Sequence, residues 1–425
     1  MLSKIFKSLA SLRLTVVCLA LALVLVFGGT IAQVHLGLYE VQARYFRSWL
    51  VLWDLPGSKM GIPIFPGGWL IGGVLLINLV ASHITRFQFS RKKLGIWLAH
   101  LGLIILLSGQ FLTEACQVES LMRVEVGETK TYSEDSRKLE LVVIDTTNPD
   151  RDDVVSIPAD NLANSKEIRH PQLPFALRVK GYLPNALPTR GGGAQPGALK
   201  SSQGIGQQIQ FAPTAVTAAM ESENSPAALI EIVGDKGSIG DWVVSPWLTK
   251  MSSLGRLTEW LGSDASILAT PQAFACNSHN YRIEMRPTRY YKPYTLKLIE
   301  FRHDLYQGTD IPKNFSSRVH LEDPTMGESR DVLIYMNNPL RYRGDTYYQS
   351  SFEPGDRVSI LQVVRNPASA TPYLACILIT TGLLIQFMMH LFTFARKNSA
   401  VAAVPVADAR LARPASNFDQ KEKRL

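Results

Sequence analysis

Arg91-Lys92-Lys93-Leu94-Gly95-Ile96-Trp97-Leu98-Ala99-His100-Leu101-Gly102-Leu103-Ile104-Ile105-Leu106-Leu107-Ser108-Gly109-Gln110-Phe111-Leu112-Thr113-Glu114 is the stretch on which the reading of this chain turns. Between the basic triplet and Glu114 lies an apolar run of about twenty residues, long enough as a helix to cross a bilayer core of about 30 Å. It predicts a membrane span. Inside it sits His100, an imidazole that costs free energy in hydrocarbon unless it finds a partner, so its default reading is functional.

Working outward, the 425 residues are 46% hydrophobic with a mean hydropathy of +0.05, and the apolar residues are gathered into separated blocks. Polar, turn-rich sequence fills the space between the third block and the last. That pattern is an integral membrane protein with a large aqueous domain. The net charge of +8 does not imply nucleic acid, because the basic residues cluster at the ends of apolar blocks, where the positive-inside rule places them.

Lys4, Lys7 and Arg13 precede an apolar run from 14 to about 32, read as a first span entering from the cytoplasm. A cleaved signal peptide ending at Thr30-Ile31-Ala32 is the competing reading, disfavoured because the run exceeds the ~7–15 residues of a signal core. A second span, about 69 to 85, returns to the cytoplasm at Arg86, Arg91, Lys92 and Lys93. The short connection makes spans two and three antiparallel neighbours and places His83 beside His100. The fourth span, 372–394, ends at Arg396-Lys397. The expected organisation is therefore 1–113 for the N-terminus and three spans, 114–371 outside, 372–394 in the membrane and 395–425 as a cytoplasmic tail.

Residues 121–126, 138–144, 175–179, 228–233, 281–285, 294–301, 318–321, 332–336 and 358–364 alternate or run β-branched between turn residues, which predicts a β-rich outer domain, a sandwich or open barrel. The Gly, Ser, Gln, Ala and Pro of 184–226 read as a mobile insertion. A helix is expected within 242–260 and a short interfacial helix over 45–53. The aromatic and Arg-rich 342–352 suits a strand pair with one buried face better than an interface. Cys18 and Cys376 fall in spans, whereas Cys116 and Cys276 fall outside. A disulfide between the latter two would close a loop of about 160 residues and contribute ~4–5 kcal/mol, with two separate thiols as the other reading.

No P-loop, G-x-G-x-x-G after a strand, H-E-x-x-H, G-x-S-x-G or C-x-x-C-H is present, so a self-contained enzyme is not expected. The chemistry lies in the membrane histidines. Counted from the basic cytoplasmic edges, His100 is roughly 10 Å deep, His390 roughly 9 Å and His83 about 5 Å. Imidazole is a good ligand for iron, and a helical bundle can hold haem between histidines. Ordinary hydrogen-bonded or wet interface histidines are the competing reading, favoured for His83 and His390, whereas ligation is favoured for His100, flanked by Gly95 and Gly102 that permit close helix approach.

Ser11-Leu12-Arg13-Leu14-Thr15-Val16-Val17-Cys18-Leu19, Gly29-Thr30-Ile31-Ala32-Gln33, the third span with His100, and Glu125-Val126-Gly127-Glu128 resemble the ResB/CcsB family of cytochrome c biogenesis proteins. The C-terminal part matches best, in Phe301, Tyr306-Gln307-Gly308-Thr309, Pro312-Lys313-Asn314-Phe315-Ser316-Ser317, Met336-Asn337-Asn338-Pro339-Leu340-Arg341-Tyr342-Arg343-Gly344 and Tyr347-Tyr348-Gln349-Ser350-Ser351-Phe352. The resemblance runs the length of the chain apart from the 184–226 insertion. It departs before the last span, where the usual Asp-Pro-Gly is Asn366-Pro367-Ala368.

The resemblance implies a four-span protein of the bacterial inner membrane with its large domain on the periplasmic side. It further implies transient, non-covalent haem b with His100 as the metal ligand, and a partner of the CcsA/ResC type that carries a tryptophan-rich haem segment. Apocytochrome c is the implied recipient, with a thioredoxin-like thiol reductant alongside. Such a subunit is no enzyme alone but part of a haem-attachment complex. His390 and His83 remain further cofactor-binding candidates. A membrane-anchored assembly factor that binds client protein through strand edges, without haem, is the alternative.

Overall fold

The computed structural model describes residues 8–54, 61–85, 90, 93–190, 195–216, 224–253, 272–308, 312–353 and 355–402. Among the described residues, four helices are long and apolar enough to cross a membrane: Leu12–Val41, Gly68–Thr85, Leu94–Cys116 and Thr371–Ala402. The chain divides into two compact units, one formed by 1–23, 69–112 and 368–425 and the other by 24–68 and 113–367.

In the first unit the spans are joined by two devices that lipid favours, a satisfied buried amide and small residues at a helix seam. Asn78 of the second span is buried. Its Oδ1 accepts from Thr15 Oγ1 at 2.6 Å, and its Nδ2 donates to the carbonyl oxygens of Leu9 and Ser11. The third span carries buried Gly95, Gly102 and Gly109, seven residues apart, so they share one face of the helix. That face packs on the fourth span. A Cβ at Gly95 would come 2.5 Å from the Gly382 carbonyl, one at Gly102 would come 2.6 Å from Ile379 Cγ1, and one at Gly109 would collide with Thr371.

In the second unit the first helix is broken at Gly37, whose φ of 76° leaves the helical region, and ends in a π-helical turn, Gln42–Phe46. The chain then forms a hairpin, Leu50–Asp54 with Gly61–Pro66. No interfacial helix occupies 45–53: Val51 is buried while Leu50 and Leu52 are exposed, an alternation of period two that so short a run does not distinguish from a helical stripe.

The β-rich architecture is as expected, and it is both a sandwich and a curled, nearly closed sheet. Eight strands of the large sheet lie in the order Glu328–Tyr335, Pro312–Asp323, His279–Leu305, Thr129–Asp145, Val118–Glu125, Val358–Arg365, Asp345–Phe352 and Leu340–Tyr342, with Asp153–Pro158 and Ala273–Cys276 paired at the side. The two longest strands change sheet partners along their length at register shifts between Pro287 and Arg289 and between Tyr291 and Leu296, bulges of the kind that bend a strand. At one end they pack Leu141, Val143 and Ile283 against Leu177 and Ile230 of a separate four-stranded sheet. At the other end they curl around Met122, Tyr294, Leu321, Tyr347 and Leu361. The two margins of the curled sheet meet where Tyr342 donates to Asp323 at 2.9 Å and Arg343 pairs with Asp323 at 3.0 Å. The strand pair read in 342–352 is present, and its Tyr347 is fully buried.

One further expectation is corrected. The described part of 184–226 is built into the fold: Ala186–Arg190 pairs with Ile209–Pro213, and Ile205, Ile209 and Phe211 form a small core with Val243. Composition concealed this because a few apolar residues suffice to seat a hairpin on an existing sheet; residues 191–194 and 217–223 lie outside the described residues. Of the two readings left open for Cys116 and Cys276, the structure has the separate thiols, both free. Cys276 is buried beside Phe274 and Tyr281, whereas Cys116 is exposed at the end of the third span. Of 242–260, Trp242 lies on the strand Gly237–Val244 and a helix covers Pro246–Ser253; the remainder is outside the described residues.

Burial, followed by the charge of Asp235, raises the Cys276 thiol above its ordinary value. A membrane-impermeant maleimide is therefore expected to label Cys116 in the folded protein and Cys276 only after denaturation, read as mass increments. Equal labelling of both in the native state would contradict this packing.

Candidate functional site

Lys93, Ile96, Trp97 and His100 from the start of the third span meet Ser82 and His83 from the end of the second around a cleft of about 330 Å³. Residues 96, 97 and 100 share a face by helical spacing, i, i+1 and i+4. Gly95 and Gly102 lie on the face turned to the fourth span. One side of the third helix is thus given to packing and the other to polar and aromatic groups.

His100 is held by its own helix: Nδ1 lies 2.8 Å from the carbonyl oxygen of Ile96. A carbonyl only accepts, so Nδ1 carries the proton and Nε2 presents its lone pair. A backbone carbonyl on the far nitrogen is the arrangement that orients an imidazole for metal ligation. The His83 ring packs edge-on to Trp97, with ring centroids 4.2 Å apart and planes inclined by 68°.

His390 is placed elsewhere. It is exposed on the fourth span, and its Nε2 accepts from Gln386 Nε2 at 2.8 Å. The structure therefore brings His83 to His100 but does not bring His390 into the cleft, although all three fall at comparable positions along their spans. Arg86, Arg91 and Lys92 lie outside the described residues; Lys93 lines the cleft. Trp97 was not singled out from sequence, where it read as one more apolar residue, but its position three before His100 would have marked it.

The donor set fits an iron porphyrin. It offers a tautomer-fixed imidazole with a lone pair, a second imidazole, an aromatic wall, and an ammonium at Lys93 for a carboxylate. No group of three or more His, Cys, Asp or Glu that could hold a bare metal ion occurs among the described residues.

Four hydrophobic helices and a β-rich domain define an integral membrane protein. Residues 255–360 match the ResB-like family, the part of the chain in which the resemblance at 306–317 and 336–352 was read. The chain is also 33% identical over 92 residues to protein NrfI of Wolinella succinogenes. That stretch is 22% of this chain and spans a tenth of the length of NrfI, 10%.

The seam between spans three and four is testable by size. Gly102→Leu is expected to force the helices apart and to cost about 1–3 kcal/mol or more by overpacking, measured as a lower melting temperature in detergent. Gly73→Leu on the second span, where nothing lies within 4 Å of an added Cβ, is the control. Equal melting of the two variants would contradict the seam.

Proposed function

We propose that the chain is the ResB/CcsB-type subunit of a cytochrome c biogenesis complex. It binds haem b non-covalently in the membrane at His100, exports it, and presents it to apocytochrome c together with a CcsA/ResC-type partner. The observation that carries this reading is the cleft in which His83 and His100 of neighbouring spans converge, with His100 in the tautomer that leaves Nε2 for iron.

When bound, the haem supplies the iron and the vinyl groups that cytochrome thiols attack; this chain positions it. The Ile96 carbonyl orients His100, Trp97 and Ile96 would shield the bound group from water, and the Lys93 ammonium would meet a carboxylate of it. A second imidazole for the iron would come from the partner, which would also carry the tryptophan-rich segment, and a thioredoxin-like reductant would serve the apocytochrome thiols. The setting is the bacterial inner membrane, with basic span ends inside and the β domain on the periplasmic side.

Affinity purification tests the reading. The expected result is co-purification of the partner with a haem Soret band that His100→Ala weakens or abolishes and His390→Ala leaves in place. A purified complex without a Soret band would instead support a haem-free assembly factor. Reporter fusions after residues 90 and 397 are expected to behave as cytoplasmic and one after 150 as exported; the reverse pattern would remove the argument for haem entry from inside.

A further inference from the structure

The β domain has a cavity of its own, unrelated to the histidines. A cavity of about 310 Å³ opens among Ser120, Arg289, Tyr291, Lys292, Asp345 and Arg365. Three cations and one carboxylate line it. Asp345, with its side chain 0% exposed, pairs with Lys292 at 3.0 Å and accepts from Arg365 Nε and Nη2 at 2.7 and 3.0 Å. The Lys292 side chain is itself only 5% exposed. One buried negative charge therefore faces two positive ones. Arg289 pairs with Glu134 at 3.0 Å and lies over the Tyr132 ring at 4.2 Å, which fixes its guanidinium. Three cations thus stand against two carboxylates, Asp345 and Glu134, and the one positive charge left over attracts an anion.

The chain also fixes where along the molecule this cavity lies. Val118, another lining residue, is two positions beyond Cys116, where the third span ends. Arg365 immediately precedes Asn366, whose Nδ2 donates to Thr113 Oγ1 at 3.2 Å and Gln117 Oε1 at 3.1 Å in the last turn of that span and just past it. The third span has 23 residues and is about 34 Å long, so it outruns a hydrocarbon core of about 30 Å and ends in the headgroup layer. Two residues reach at most about 7 Å. Val118, on the wall of the cavity, is consequently held within that distance of the end of the span.

We propose that this cavity binds the phosphate of an anionic phospholipid headgroup and so ties the foot of the β domain to the lipid surface. Guanidinium groups match phosphate oxygens in pairs. The proposal does not depend on haem binding, so the two stand or fall separately.

The test uses the full chain purified in detergent and loaded with mixed phosphatidylglycerol and phosphatidylcholine, with retained lipid read by native mass spectrometry. Phosphatidylglycerol is expected to be retained over phosphatidylcholine by about tenfold, because both lipids offer the phosphate but only phosphatidylcholine adds an ammonium that the cavity's excess positive charge repels. Arg289→Gln, which leaves both partners of Asp345 in place, should lose most of that preference, and Arg289→Lys should keep part of it. Inorganic phosphate at millimolar concentration should not displace the lipid. The proposal is overturned if wild type shows no preference, if Arg289→Gln retains the lipid as wild type does, or if inorganic phosphate binds alone and displaces the lipid, which would make this a site for a soluble anion. The wild-type selectivity and competition measurements stand without any variant.

Discussion

His100→Gly is expected to abolish cytochrome c maturation and haem retention, and added imidazole to restore part of both. Removing a coordinating imidazole should lower haem affinity at least about 100-fold, since disturbing only the groups behind a metal ligand already costs about 10–100-fold. The substitution leaves the helix seam untouched, because Gly95, Gly102 and Gly109 pack the opposite face against the fourth span. The vacated space adjoins the cleft, so a free imidazole can take the coordination position. The informative comparison is with the other two histidines. His83→Gly should reduce haem retention, as that ring shares the cleft and packs on Trp97. His390→Gly should have little effect, as its Nε2 is engaged by Gln386. A wild-type haem spectrum in His100→Gly would end the proposal, and loss in His390→Gly alone would transfer the role.

The second large effect belongs to the β domain. Asp345→Ala is expected to destabilise it by about 3–5 kcal/mol, because removing one partner of a buried ion pair leaves the other charge uncompensated. Here that charge is Lys292, and the Tyr294 hydroxyl, which donates to Asp345 at 3.0 Å, loses an acceptor too. Burial alone would push the Asp345 carboxyl up; the hydrogen bonds from Arg365 and Lys292, the charge of Lys292 and the bond from Tyr294 outweigh it and hold the group below the ordinary carboxylate value. Because the folded pKa is depressed, the stabilisation is present above the unfolded value of about 3.9 and is lost as pH falls through the folded value. Wild type and Asp345→Asn should thus differ fully at pH 7 in their urea midpoints, begin to converge below about pH 4 and meet once the pH has fallen through the folded value. A constant difference at all pH values would show that shape rather than charge is responsible.

The spans were legible because partition into a bilayer is nearly a sum over residues: about twenty apolar side chains in a row cross a membrane whatever their neighbours do. Most of the strands named from sequence were legible for a related reason, since alternation along one strand already shows a buried face, as at Val118–Glu125, where Met122 and Val124 point inward. The strands at 153–158 and 237–244 were missed because polar residues and glycine sit on their outer faces. Their inward residues, such as Val155, Ile157 and Val243, declare themselves only once a facing sheet is in place.

The candidate site divides in the same way. Sequence alone determined that this is a membrane protein with a β-rich domain, that an imidazole lies within its third span, and that His83 sits one short turn of chain away from it. Only the tertiary structure decided which face of the third helix the fourth span covers, and hence that His83 shares the cleft while His390 does not. It alone decided that Cys116 and Cys276 remain apart, and that Ser120, Arg289, Asp345 and Arg365 meet around one charged cavity. The physical reason is range: hydropathy and alternation are properties of adjacent residues, whereas helix facing and strand register are settled by contacts between residues hundreds of positions apart.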